Sequence, residues 1–206
     1  MARCSFFSFS YEDVKNFRVN VVRNSWLHHQ DDQTFFDRSI WEEECIKKPA
    51  RIKAIIDNGL KGTSVTAVLI GTDTASRRYV KYELVKSFER GNGILGVYIN
   101  RIKDKHGQVT AKGLNPLDRL GFEVSEDGKK IWFYELIKGK WYEFEDLPEI
   151  NNKKSNTLFF EKGWFTNDFG KFFRFSDFFY SYCWKLDIGY RNYCNWIEEA
   201  AEQAGR

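Results

Sequence analysis

Val65-Thr66-Ala67-Val68-Leu69-Ile70 is a continuous run of strand length, apolar on both alternations and halted by Gly71. A strand with one wetted face alternates; one that is apolar on both sides is covered on both, as central strands of parallel sheets are. Cys4 to Phe9, Gln33 to Asp37 and Ile94 to Ile99 read as further strands. Between them the period changes to that of a helix. Val14, Phe17, Val21, Val22 and Trp26 recur at three- and four-residue spacing and predict one helical face over Val14 to Leu27. Pro49 to Leu60 reads as a helix with Asn58-Gly59 as its stop, and Ser76 to Arg90 as another, ended by Gly91-Asn92-Gly93. Strands alternating with helices imply an α/β fold with a parallel central sheet and helices on both faces.

The pattern changes after Asn100. Residues 101–121 are polar and glycine-rich, with Asn115-Pro116 as a turn. Ile131 to Tyr134 and Lys140 to Phe144, separated by a Lys-Gly turn, predict a hairpin. Asn151 to Asn156 reads as a linker, and residues 157–197 are dense in aromatics. The expected division is an α/β domain over 1–121, a hairpin extension over 122–150, and an aromatic, mostly helical extension over 151–206 packed on the domain.

Composition narrows the function classes. With 42% hydrophobic and 17% aromatic residues, a chain of 206 residues buries a sizeable core. Thirty-two basic and 29 acidic side chains leave a net charge of +3, without the basic surplus of a nucleic-acid binder. No apolar run approaches the roughly 18 residues of a membrane span, and the N-terminus is too short and polar for a signal peptide. Cys4, Cys45, Cys183 and Cys194 form no CxxC pair and the three histidines are scattered, so neither a zinc site nor a disulfide framework is expected. The expectation is a cytoplasmic protein with no metal, nucleic-acid or membrane partner.

Parallel α/β sheets carry function at the carboxyl ends of their strands. No GxGxxG, GxxxxGK[ST] or GxSxG sequence stands there. Glu12, Asp13 and Asp73, with Lys103, have two readings: an acidic magnesium cluster like that of a phosphoacceptor receiver, or helix caps. On the helix that follows, Val80, Leu84 and Phe88 form a stripe facing the sheet, and Tyr79 and Glu83 form the neighbouring row one turn apart. Glu83 therefore either lines a cleft or is a solvated glutamate paired with Lys86.

Several segments together resemble a known family. Phe6-Phe7-Ser8-Phe9-Ser10-Tyr11-Glu12-Asp13 is similar to the opening strand and loop of a Toll/interleukin-1 receptor (TIR) domain. Phe35-Phe36-Asp37 resembles its second strand and loop, and Tyr79 to Glu83 its aromatic-x-x-x-Glu helix. Phe17 to Asn24, Thr63 to Gly71 and Lys112-Gly113-Leu114-Asn115-Pro116 narrow the resemblance to the TIR-like subunits of the Thoeris antiphage system, over residues 4–145.

The resemblance implies a flavodoxin-like α/β fold and an enzyme that cleaves the nicotinamide–ribose bond of NAD⁺, as substrate and with no cofactor, and cyclises the ADP-ribose fragment into a signalling nucleotide. That signal would activate a separate effector, and self-association would accompany activation. It assigns Glu83 as the catalytic carboxylate, a role suited to an oxocarbenium-like transition state. It offers Ser8, Phe9 and Tyr11 from the first loop, Asp37 and Trp41 from the second, and Tyr79 and Asn115 as walls of the substrate pocket. Where many family members carry basic residues after the first strand, this chain has Ser10 and Tyr11. Arg18, Arg77 and Arg78 are then the cations open either to phosphate or to surface ion pairs. The competing expectation is a non-catalytic TIR module acting by protein–protein assembly, in which Glu83 is a surface charge.

Overall fold

The computed structural model describes residues 3–29, 49–152 and 169–206. Its first half runs β1 (Ser5–Phe9), α1 (Tyr11–Lys15), α2 (Arg18–His29), α3 (Pro49–Gly59), β2 (Val65–Ile70), α4 (Arg78–Glu89) and β3 (Gly93–Tyr98). Then come β4 (Leu120–Val124), β5 (Lys130–Ile137), β6 (Lys140–Glu143), β7 (Glu149–Asn151), β8 (Phe172–Arg174), β9 (Ser181–Cys183) and α5 (Gly189–Gln203). The strand expected at Gln33 to Asp37 lies outside the described residues.

β1, β2, β3 and β9 form a parallel sheet in that order, with Phe9 opposite Leu69, Leu69 opposite Val97, and Gly96 opposite Ser181. Every residue of β2 is buried, as its two-sided apolarity requires. The strand alternation divides two cores. Phe6, Val68 and Ile70 point toward α3 and α4, while Phe7, Phe9, Ala67 and Leu69 point toward α2 and α5.

The predicted helix over Val14 to Leu27 is broken in two. Phe17 sits between α1 and α2 with φ 65, a left-handed conformation that ends one helix and re-aims the next. The phase shifts with it: Val19 and Val22 enter the core, and Phe17 and Val21 face water. Arg18 is buried by the same turn. Its guanidinium donates to Ile102 O at 3.0 Å, Gln108 O at 3.1 Å and Asp104 Oδ2 at 3.2 Å, pinning the loop after β3.

Beyond β3 the chain builds a second, antiparallel sheet in the order β6-β5-β4-β8, with β7 also on β5. The expected hairpin is its β5–β6 pair. Lys138 and Gly139, with φ 47 and 80, make the two-residue loop of type I′ sense that such pairs favour. Aromatic residues of the C-terminal segment serve both sheets: Phe172–Arg174 is strand β8, Ser181–Cys183 is parallel strand β9, and the helix is Gly189–Gln203. Tyr182 of β9 stacks on Trp196 of α5 with ring centroids 4.3 Å apart, seating that helix on the sheet.

Helix α4 consequently lies between the two sheets. Phe88, near its end, packs 4.9 Å from Phe122 of β4, 5.5 Å from Phe133 of β5 and 5.3 Å from Phe175. Lys81 pairs with Glu135 of β5 on the same helix, and Arg78 reaches Asp146 at 2.6 Å. Phe88→Ala leaves a cavity where both layers meet, and is expected to destabilise the fold by about 3–5 kcal/mol in urea unfolding.

Candidate active site

The face of α4 turned toward β1 and β2 carries Glu83 and Ser87. Glu83 is 0% exposed, and the Ser8 hydroxyl of β1 donates to its Oε2 at 2.5 Å. One turn on, Ser87 Oγ donates to Glu83 O at 2.6 Å and lies 2.7 Å from Thr66 Oγ1 of β2, locking the helix to the strands. The reading of Glu83 as a solvated partner of Lys86 is corrected: Lys86 pairs with Glu89 instead. A carboxylate withdrawn from water is strongly dependent on its hydrogen-bond donors.

Of the other residues proposed as walls, Tyr79 lies one turn before Glu83, half-buried against the same core. Asn115 acts as a cap and a tie. Its Oδ1 accepts from Leu117 N at 3.1 Å and its Nδ2 donates to Ser181 Oγ at 3.0 Å. Phe9 is corrected from wall to core: strand alternation sends it to the face opposite Ser8, among Val19, Leu69 and Val97. Tyr11 opens α1 with the Lys15 ammonium 4.8 Å from its ring centre. Asp37 and Trp41 lie outside the described residues.

The three arginines are all engaged. Arg18 is buried on Asp104, Arg77 pairs with Asp73, and Arg78 with Asp146, where Lys53 also contributes at 2.9 Å. Arg78 and Lys53 hold the Asp146 carboxyl below the usual carboxylate range.

The capping expectation for the acidic residues is corrected as well. Asp13 is the third residue of α1, not its cap, and Asp73 precedes its 3-10 turn without a side-chain cap bond. Among the described residues, no three His, Cys, Asp or Glu side chains cluster as a metal site would need. Asp13 is 5% exposed, and its carboxylate lies against the Gly71 backbone, where an added Cβ would stand 1.9 Å from Oδ2. Burial, and then the Asp73 charge, push its carboxyl up to about 6, while Arg18 and Arg77 pull the other way. Sequence reasoning missed this burial and missed Ser181, which lies 66 positions from Asn115. The signal for Asp13 was Gly71, whose lack of a side chain leaves room for the carboxylate.

A four-stranded parallel sheet with helices on both faces is the architecture of a TIR-like α/β domain. Residues 6–104 match the family described as "Thoeris protein ThsB, TIR-like domain". The chain is also 43% identical, over 201 residues, to a protein of Bacillus cereus (strain MSX-D12) named "Putative cyclic ADP-D-ribose synthase ThsB1". That match covers 96% of this chain and 100% of the relative. The chain belongs to the ThsB family of Thoeris TIR-like proteins.

The raised Asp13 pKa gives a signed expectation. The folded protein holds this proton more tightly than the unfolded chain, so its contribution is complete below the unfolded value of 3.8 and is lost as pH rises through about 6. Asp13→Asn removes the ionisation. It is expected to be more stable than the wild type at pH 8, by up to about 3 kcal/mol, with the gap closing toward pH 4 in thermal melts.

Proposed function

We propose that this protein cleaves the bond between nicotinamide and ribose in NAD⁺ and closes the ADP-ribose fragment into a cyclic nucleotide, with Glu83 as the catalytic carboxylate. The observation that carries the reading is a glutamate with no exposure, held by Ser8 on β1, in a chain related along nearly its whole length to the protein named "Putative cyclic ADP-D-ribose synthase ThsB1". As the C1′–nitrogen bond breaks, its electron pair leaves with neutral nicotinamide, and positive charge develops on the ribose ring. A nearby carboxylate stabilises that charge far more strongly where water is excluded. A hydroxyl of the same ADP-ribose fragment then bonds to C1′ and releases its proton, so NAD⁺ becomes cyclic nucleotide, nicotinamide and H⁺. Ring closure competes with hydrolysis, and the dry setting of Glu83 favours closure.

Ser8 supports this chemistry by orienting the carboxylate, and a ribose hydroxyl is the group that would share or replace its hydrogen bond. In the same reading NAD⁺ is a substrate rather than a cofactor. The product is a cytoplasmic second messenger for a separate antiphage effector, and self-association accompanies activation. The assembly-module reading required a surface Glu83, and the burial of that residue removes its support.

Nucleotides extracted from phage-infected cells test the proposal. Mass spectrometry is expected to find a cyclic ADP-ribose isomer with the wild type and at least a hundredfold less with Glu83→Gln, corresponding to about 2.7 kcal/mol or more of lost transition-state stabilisation. Equal protection by both proteins without a new nucleotide overturns it.

A further inference from the structure

Ser10-Tyr11-Glu12-Asp13 has the spacing of a capping box, in which the serine hydroxyl bonds the third helical N–H and the acid bonds back to the serine N–H. The structure declines both bonds. Ser10 stands at the cap position of α1 with extended backbone (φ −83, ψ 138) and makes no side-chain cap bond. Ser10 Oγ and Asp13 Oδ2 are both buried without a hydrogen-bond partner, in residues 1% and 5% exposed. Buried polar atoms are rarely left so, and two of them one helical turn apart, each with a local partner it does not use, call for a function.

Their position supplies one. Along β1, Phe6 enters the core beneath α4, and Ser8 holds Glu83. Because Ser10 is extended, the alternation carries it to the same side, about 7 Å beyond Ser8 toward the carboxyl end of the sheet. Asp13 follows against Gly71, the residue just past β2. The charges facing Asp13 are Asp73, Glu12, Arg18 and Arg77. Arg18 is committed to Asp104 and two carbonyls, and Arg77 to Asp73. A phosphate arriving here meets carboxylates and no uncommitted arginine of this set. A neutral group bringing O–H donors satisfies both orphaned atoms, one hydroxyl donating to Asp13 Oδ2 and its neighbour bonding Ser10 Oγ.

We propose that Ser10 and Asp13 form a ribose-diol subsite that positions one sugar of the dinucleotide while Glu83 acts on the other. This rests on the reading of the protein as an NAD⁺-consuming enzyme. Both side chains are covered in this arrangement, so the sugar enters by displacing that cover. Fixing the second sugar sets how the ADP-ribose fragment folds back on itself, and hence which end meets the reactive carbon.

Calorimetric titration of the full chain with ADP-ribose, which lacks the reactive bond, tests the subsite. Asp13→Asn and Ser10→Ala are each expected to raise Kd about tenfold or more at pH 7.5. Wild-type binding is expected to weaken as pH falls below 6, where the Asp13 carboxylate takes up its proton, and Asp13→Asn is expected to lack that slope. Asp13→Asn is expected to be no less stable than the wild type at neutral pH, and thermal melts on the same samples check that loss of binding is not loss of fold. Wild-type affinity in both variants, tighter binding by Asp13→Asn, or no binding of ADP-ribose by the wild type overturns the inference. The functional reading fails on a different result: no cyclic nucleotide from the wild type in infected cells.

Discussion

Placing one helix between two sheets is the constraint on which the rest of this molecule depends. Most helices of an α/β domain keep one face in water, and a glutamate on such a helix is ordinarily solvated. Here the antiparallel sheet closes over α4, and Phe88 packs against Phe122, Phe133 and Phe175 from that layer. On the side turned to β1, Glu83 has no exposure and depends on donors such as Ser8 for the solvation it has lost. That burial lowers the local dielectric, which is what makes a single carboxylate effective against developing positive charge.

The C-terminal segment is the means by which the two layers act together. Its aromatic residues furnish β8 to one sheet and β9 to the other, and α5 covers the face of the parallel sheet opposite α4. Through Ser181 it also holds Asn115, so the loop leading into the second sheet is tied to the edge of the first. The geometry near the carboxyl ends of the strands is therefore set by residues from distant parts of the chain. Gly71 and Gly113 show how tightly they converge: a Cβ on Gly113 would stand 1.9 Å from Gly71 O, while Gly71 itself accommodates Asp13.

Much of this was legible from local pattern. Two-sided apolarity marked β2 as central, the Val80, Leu84 and Phe88 stripe faced inward as its spacing required, and the Lys-Gly turn marked the β5–β6 hairpin. The reading went astray where a local pattern admitted two outcomes. Val14, Phe17, Val21 and Val22 keep helical spacing, yet the left-handed turn at Phe17 resets the phase and places Val19 inside. Phe9 was offered as a pocket wall by the family resemblance, and the alternation of its strand buried it on the far face. Ser10 and Asp13 have the spacing of a mutual cap, and tertiary packing withholds both from that use.

By itself the sequence determined the alternation of β1, α3, β2, α4 and β3, their parallel pairing, and the place of Glu83 one turn after Tyr79. These follow from hydrophobic periodicity and chain punctuation, which act over a few residues. Tertiary structure alone decided that Glu83 is dry, that Ser8 is its donor, and that Asp13 lies against Gly71 with a carboxyl pushed up to about 6 by burial. Burial and the strength of a charge depend on what arrives from elsewhere in the chain, and residues 75 positions apart meet only once α4 has packed on β1.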